Sequence, residues 1–121
     1  MERLEEIVSR LPETVRVDIE AWGGEPTFRV RNKNFVFCDR DAKRLTLKLP
    51  PDEAEAVVAT DTLAEPAAYG LGRSGWVSVR VGPRPSAARW NEVEEWIRMS
   101  YTLVAPKKLA RVVEEEDMGL H

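Results

Sequence analysis

The sequence predicts an α+β fold: a two-layer sandwich with a five-stranded antiparallel sheet and helices on one face. Three observations carry this. Three segments in the first half and one in the second alternate apolar and polar residues with period two, and a short apolar run stands among the first three. Short turn-rich connections join the first four, which requires antiparallel neighbours. The remaining apolar stripes recur with helical spacing and lie at both ends and in the middle, giving the order helix, four strands, helix, strand, helices.

The first helix spans Glu2 to Leu11, where Leu4, Ile7, Val8 and Leu11 form one stripe and Pro12 stops it. "TVRVDIEAW" follows as the first strand, with Val15, Val17, Ile19 and Ala21 expected inward and Arg16, Asp18 and Glu20 outward. "GGEP" turns the chain at Trp22, and "TFRVRN" returns with Phe28 and Val30 inward and Arg29, Arg31 and Lys33 outward. "NFVFC" is a third strand, too apolar for period to choose its buried face. After "DRDAKR", a solvated turn holding Asp39 and Asp41, "LTLKL" directs Leu45, Leu47 and Leu49 inward and Lys48 outward.

"PPDEAEAVVAT" starts a helix with Pro51 at its first position and acids in its first turn. Residues 61–75 read as an irregular loop. "WVSVRV" is the fifth strand, with Val77, Val79 and Val81 on one face and Trp76, Ser78 and Arg80 on the other. Ser86 caps a long helix whose inner stripe is Trp90, Val93, Ile97, Tyr101 and Val104. Pro106 separates it from a last helix, "PKKLARVVEEE", whose acidic end is solvated.

The 121 residues suit a single domain, 1–121, with 43% hydrophobic and 32% charged residues. No apolar run approaches the roughly 18 residues of a membrane span. The charged start has no apolar h-region, so no secretory leader is expected. One cysteine permits no intrachain disulfide and agrees with a reducing cytoplasm.

"GLGRSGWV" matches G-x-G-x-x-G-x-V, yet its glycines lead into a strand. A dinucleotide site needs a helix start there, and a kinase needs further motifs that this chain lacks. The glycines are therefore expected to allow positive φ ahead of the strand. The single histidine is the last residue, His121. Serine–histidine, cysteine–histidine and zinc chemistry consequently lack their partners. Cys38 reads as a small buried hydrophobe. The chain is expected to be non-enzymatic, with no cofactor and no metal.

The net charge of −3 disfavours non-specific nucleic-acid binding, but the bases cluster: Thr27–Lys48 holds seven bases and two acids. Arg29, Arg31, Lys33, Lys48 and Arg80 are all expected on the open face of the sheet, with Trp76 among them. That set fits phosphate contacts with a stacking aromatic. It also fits a solvated charged face whose charges are offset by the first strand. If Ala21 pairs with Phe28, Glu20 lies opposite Arg29 and Asp18 opposite Arg31; a two-residue slip puts Asp18 beside Arg29 instead.

Five segments in order, "LPE", "WGGEPTFRVRNKNFVF", "LTLKLP", "GWVSVRV" and "SYTLVAPKKL", resemble the MmcQ/YjbR family of small bacterial proteins. The resemblance covers nearly the whole chain. It implies an α+β sandwich likened to the double-wing DNA-binding domain of a phage transcription factor, and similar to type III secretion chaperones, which bind protein chains. The matching polar positions are Arg29, Lys33, Trp76, Tyr101, Lys107 and Lys108. The expected function is DNA binding through the basic sheet face, with Lys107 and Lys108 adding phosphate contacts. The alternatives are a protein- or peptide-binding module, using the 61–75 loop or a free strand edge, and a small-molecule binder with the glycine loop closed over Trp76 and Tyr101.

Overall fold

The computed structural model describes residues 1–20, 24–68 and 70–117. Elements follow in the order α1 (Glu2–Ser9), β1 (Thr14–Ile19), β2 (Glu25–Val30), β3 (Lys33–Cys38), β4 (Arg44–Lys48), α2 (Pro51–Thr60), β5 (Ala64–Pro66), β6 (Trp76–Arg80), α3 (Ala87–Val104) and α4 (Lys107–Asp117). All neighbouring strands are antiparallel, and the sheet order is β1-β2-β3-β4-β6-β5. The sheet has six strands, one more than expected. The addition, β5, is a three-residue edge strand ending in proline, inside the segment read as a loop. It is too short to show a period, and proline is tolerated at a sheet edge.

The helices cover one face. Leu4, Ile7 and Val8 of α1, Val93, Ile97 and Tyr101 of α3, and Val113 of α4 join Phe28, Val30, Val36, Leu45, Leu47, Val77 and Val79 in one core. Pro51 begins α2, and the Ser86 hydroxyl accepts from Arg89 N at 3.0 Å to cap α3. Both ends were expected from capping chemistry. The turn at Trp22 and Gly23, and His121, lie outside the described residues.

The first strand is turned over relative to expectation. Arg16 pairs with Phe28 and Asp18 with Pro26, so both charged side chains share the helix-covered face. Arg16 there bonds Glu5 of α1, and its Nε donates to Asp18 Oδ1 at 2.8 Å. Val15, Val17 and Ile19 lie on the open face, opposite Arg29, Thr27 and Glu25. The register is displaced by an odd number of residues from the one expected, and each odd step exchanges the two faces. Alternation groups side chains by face but does not say which face is covered. An edge strand, half solvated on both sides, gives little further discrimination.

A buried serine locks α3 to the sheet. The β2–β3 register shifts between Phe28 and Arg29, and the described β3–β4 pairing starts at Val36 and Leu47. Beyond it, the Ser100 hydroxyl donates to Phe35 O at 2.6 Å and accepts from Lys48 N at 2.9 Å. Ser100 is fully buried. Ser100→Ala is expected to strand both backbone groups and to destabilise the fold by about 2–4 kcal/mol in urea unfolding. A cost under about 0.5 kcal/mol would show that the bridge is dispensable.

Candidate nucleic-acid interface

The face turned away from the helices is built from alternate residues of each strand, and Thr27 and Ser78 on it are buried. One row across it runs Val17, Thr27, Phe37, Thr46, Ser78 and Glu65. The next holds Val15, Arg29 and Asn34, then Lys48 and Trp76 beyond the irregularity in β3. Arg44 and Arg80 pair at the opposite end. Leu45, Leu47, Val77 and Val79 point to the core, which fixes their neighbours Thr46, Lys48, Trp76, Ser78 and Arg80 on the open side.

Trp76 lies against Phe37, with ring centroids 5.3 Å apart and planes tilted by 49°. Both rings are half-buried. Arg29, Lys48 and Arg80 have no carboxylate partner among the described residues; Arg29 Nε donates to Thr27 Oγ1 at 3.3 Å. Asn34 holds a buried amide oxygen with no hydrogen-bond partner. The acids of this face are Glu25 and Glu65, and Glu65 is bonded by Arg44 at 2.6 Å. Over the first of these rows, Phe37, Thr46, Ser78, Ala67, Ala68 and Leu71 line an open cleft of about 720 Å³.

Several expected site residues lie elsewhere. Arg31 and Asn32 form the two-residue β2–β3 turn with φ of 50° and 66°. Mirror-type turns of this kind match the twist of a hairpin. Arg31 leaves the open face and clamps Glu13 with bonds of 2.7 and 3.0 Å, which hold the Glu13 carboxyl below its ordinary range. Lys33 pairs with the core residue Val30, which places it at the helix-side end of β3. Lys107 and Lys108 open α4 in the helical layer, and Lys108 lies near enough to Glu13 to favour its ionised form. The basic face therefore keeps Arg29, Lys48, Arg80 and Trp76 and loses Arg31 and Lys33, while Lys107 and Lys108 stand at a helix start, as expected, but away from that face.

Tyr101 is also removed from any open site. It is fully buried, donates its hydroxyl to Pro12 O at 2.7 Å, and meets Phe35 edge-on at 5.4 Å. Burial raises its pKa. It sits across the sheet from Trp76, so the glycine loop does not close over both. Cys38 is buried as expected, and burial followed by the nearby Asp39 pushes its thiol up to about 12. A thiol so held stays protonated and inert near neutral pH. Asp39 accepts from Lys43 N and Arg44 N, organising the turn it was expected to occupy.

The glycine-rich loop has its own geometry. Gly70 and Gly75 carry φ of 79° and 88° on either side of a short 3-10 turn, and β6 starts directly after. No helix N-terminus of the kind that cradles a pyrophosphate follows. Among the described residues no group of three or more His, Cys, Asp or Glu could hold a metal ion, and no helix is long and apolar enough to cross a membrane.

The family model described as YjbR matches residues 9–103. The chain belongs to the YjbR family. Its fold is similar to that in the crystal structure of the Deinococcus radiodurans protein DR2400, whose domain is of the DUF419 type. The two share a TM-score of 0.67 and 26% identity, over 98% of this chain and 86% of that one. No curated protein matches. Three of the segments that carry the YjbR resemblance meet in the fold. "LPE" supplies Pro12 O and Glu13, "TFRVRNKNFVF" supplies Arg31 and Phe35, and "SYTLVAPKKL" supplies Ser100 and Tyr101. These positions hold α3 and the α1–β1 connection to the β2–β3 hairpin.

Proposed function

We propose that this chain binds DNA as a single strand laid across the open sheet face. One observation carries the proposal: Arg29 and Lys48, cations without carboxylate partners among the described residues, share a face with the aromatic Trp76. Unpaired cations attract phosphate without first giving up an internal partner. A half-exposed indole on a flat sheet offers a base its π-face, a contact that every base can make. Arg80 adds a third cation at the far end of β6. Asp18 lies on the other face, so it does not line the path proposed for the phosphates.

A flat face with a stacking ring favours unpaired bases over a duplex, whose bases are already stacked. The test is anisotropy of a labelled single strand of about 12 nucleotides against a duplex of the same sequence at low salt. The single strand is expected to bind about tenfold tighter or more. Equal or tighter duplex binding would remove the stacking role, and binding of neither would remove the function. The proposed role is non-enzymatic and cytoplasmic, and requires no cofactor.

A further inference from the structure

We propose that two copies of this chain pair through β1, edge to edge and antiparallel about Val17, to form one continuous twelve-stranded sheet. β1 is an edge strand, bonded to β2 alone among the described strands. Such an edge presents unpaired backbone groups, and proteins that stay apart blunt it with Pro, Lys, a bulge or inward-pointing charges. β1 has no Pro, Lys or bulge: its sequence is TVRVDI, paired with β2 in unbroken register, and Val15 on the open face is 53% exposed; its inward-pointing charges, Arg16 and Asp18, are of opposite sign and already neutralise each other within the strand.

The backbone direction is fixed by two observations. Pro26 lies opposite Asp18 and has no N–H to give it. The Val17 carbonyl faces β2, where it accepts from Thr27 Oγ1 at 2.7 Å. Hydrogen-bonded and non-bonded pairs alternate along an antiparallel ladder. Val15 and Val17 therefore spend their backbone groups on β2, while Arg16 and Asp18 direct theirs outward.

That outward set is self-complementary. With a two-fold axis at Val17, Arg16 of each copy lies opposite Asp18 of the other, and the two residues exchange both backbone bonds. The guanidinium and carboxylate then face each other on the helix side, as opposite charges directly across a ladder. On the open side Val15 meets Ile19 of the second copy, and Val17 meets Val17. Both the charged and the apolar layer match in this single register, as an isologous interface requires. A six-residue edge buries less than the roughly 1,200 Å² of a standard interface, so the dimer should be weak and concentration-dependent.

The test needs no nucleic acid, so its outcome is separate from that of the DNA proposal. Light scattering over a rising protein concentration should carry the mass from the 13.7 kDa of one chain toward twice that value. Arg16→Asp places acid against acid and Asp18→Arg places base against base, so each alone should weaken self-association by about tenfold or more. Mixing these two variants makes every facing pair complementary, and the double mass should return. Arg16→Pro, which removes an outward N–H and leaves the β2 ladder intact, should also abolish the dimer. Circular dichroism checks that each variant is folded. Wild-type protein at single-chain mass throughout, or either charge variant self-associating like wild type, would overturn the proposal. So would a mixture that fails to associate.

Discussion

Gly75→Ala is expected to destabilise the protein by about 3–5 kcal/mol, from backbone strain and overpacking together. Gly75 has φ of 88°, a region where an L side chain is strained. A Cβ built there would lie 2.4 Å from Leu49 O, a backbone atom with no rotamer to change. Relieving that contact moves the segment that holds the 2.9 Å bond from Leu49 N to Gly75 O at the start of β6. The control is Gly70→Ala, which shares the positive φ but has nothing within 4 Å of the added carbon. It should lose only the conformational part, about 1–2 kcal/mol. Urea unfolding of both variants isolates the close approach as their difference. Equal losses would show that crowding at Leu49 contributes nothing.

Trp76→Ala is expected to weaken single-strand binding by about 1–3 kcal/mol, or roughly 5- to 150-fold. The ring packs tilted against Phe37 at 5.3 Å and is half-buried, so its removal also costs some stability, and binding is to be measured on protein shown to be folded. Trp76→Phe should retain most of the affinity, because stacking needs a flat ring and not the indole N–H. If alanine and phenylalanine bind alike, the ring supports the sheet and takes no part in recognition.

Much of the fold follows from local chemistry that sequence displays. Period two marked β2, β4 and β6, and Pro51, Ser86 and Pro106 marked helix ends, because those residues act on their own backbone neighbours. What was hidden depends on distant partners. The covered side of β1 is set by its pairing with β2 and by Glu5, neither visible in the alternation of TVRVDI. Arg31 was counted with its strand, but the turn at Arg31 and Asn32 is closed by backbone geometry and the side chain is claimed by Glu13, eighteen residues earlier. In sequence, Ser100 is one polar residue beside the apolar stripe of α3. Its role depends on Phe35 O and Lys48 N, which lie beyond the paired Val36 and Leu47, and no spacing in the helix announces that. The open face was half legible: Arg29, Lys48, Trp76 and Arg80 were placed correctly, while three valine and isoleucine positions of β1 replaced the acids expected there.

The most direct test of the central claim is the salt dependence of single-strand binding, measured by anisotropy for wild type and for the Arg29→Ala/Lys48→Ala/Arg80→Ala variant. Three phosphate contacts on a single strand predict a log–log slope of about −2, a loss of roughly 20-fold between about 50 and 200 mM salt. The triple variant should bind far more weakly and lose most of that slope. No binding at the lowest salt, or a triple variant with the wild-type affinity and slope, would contradict a DNA-binding sheet face.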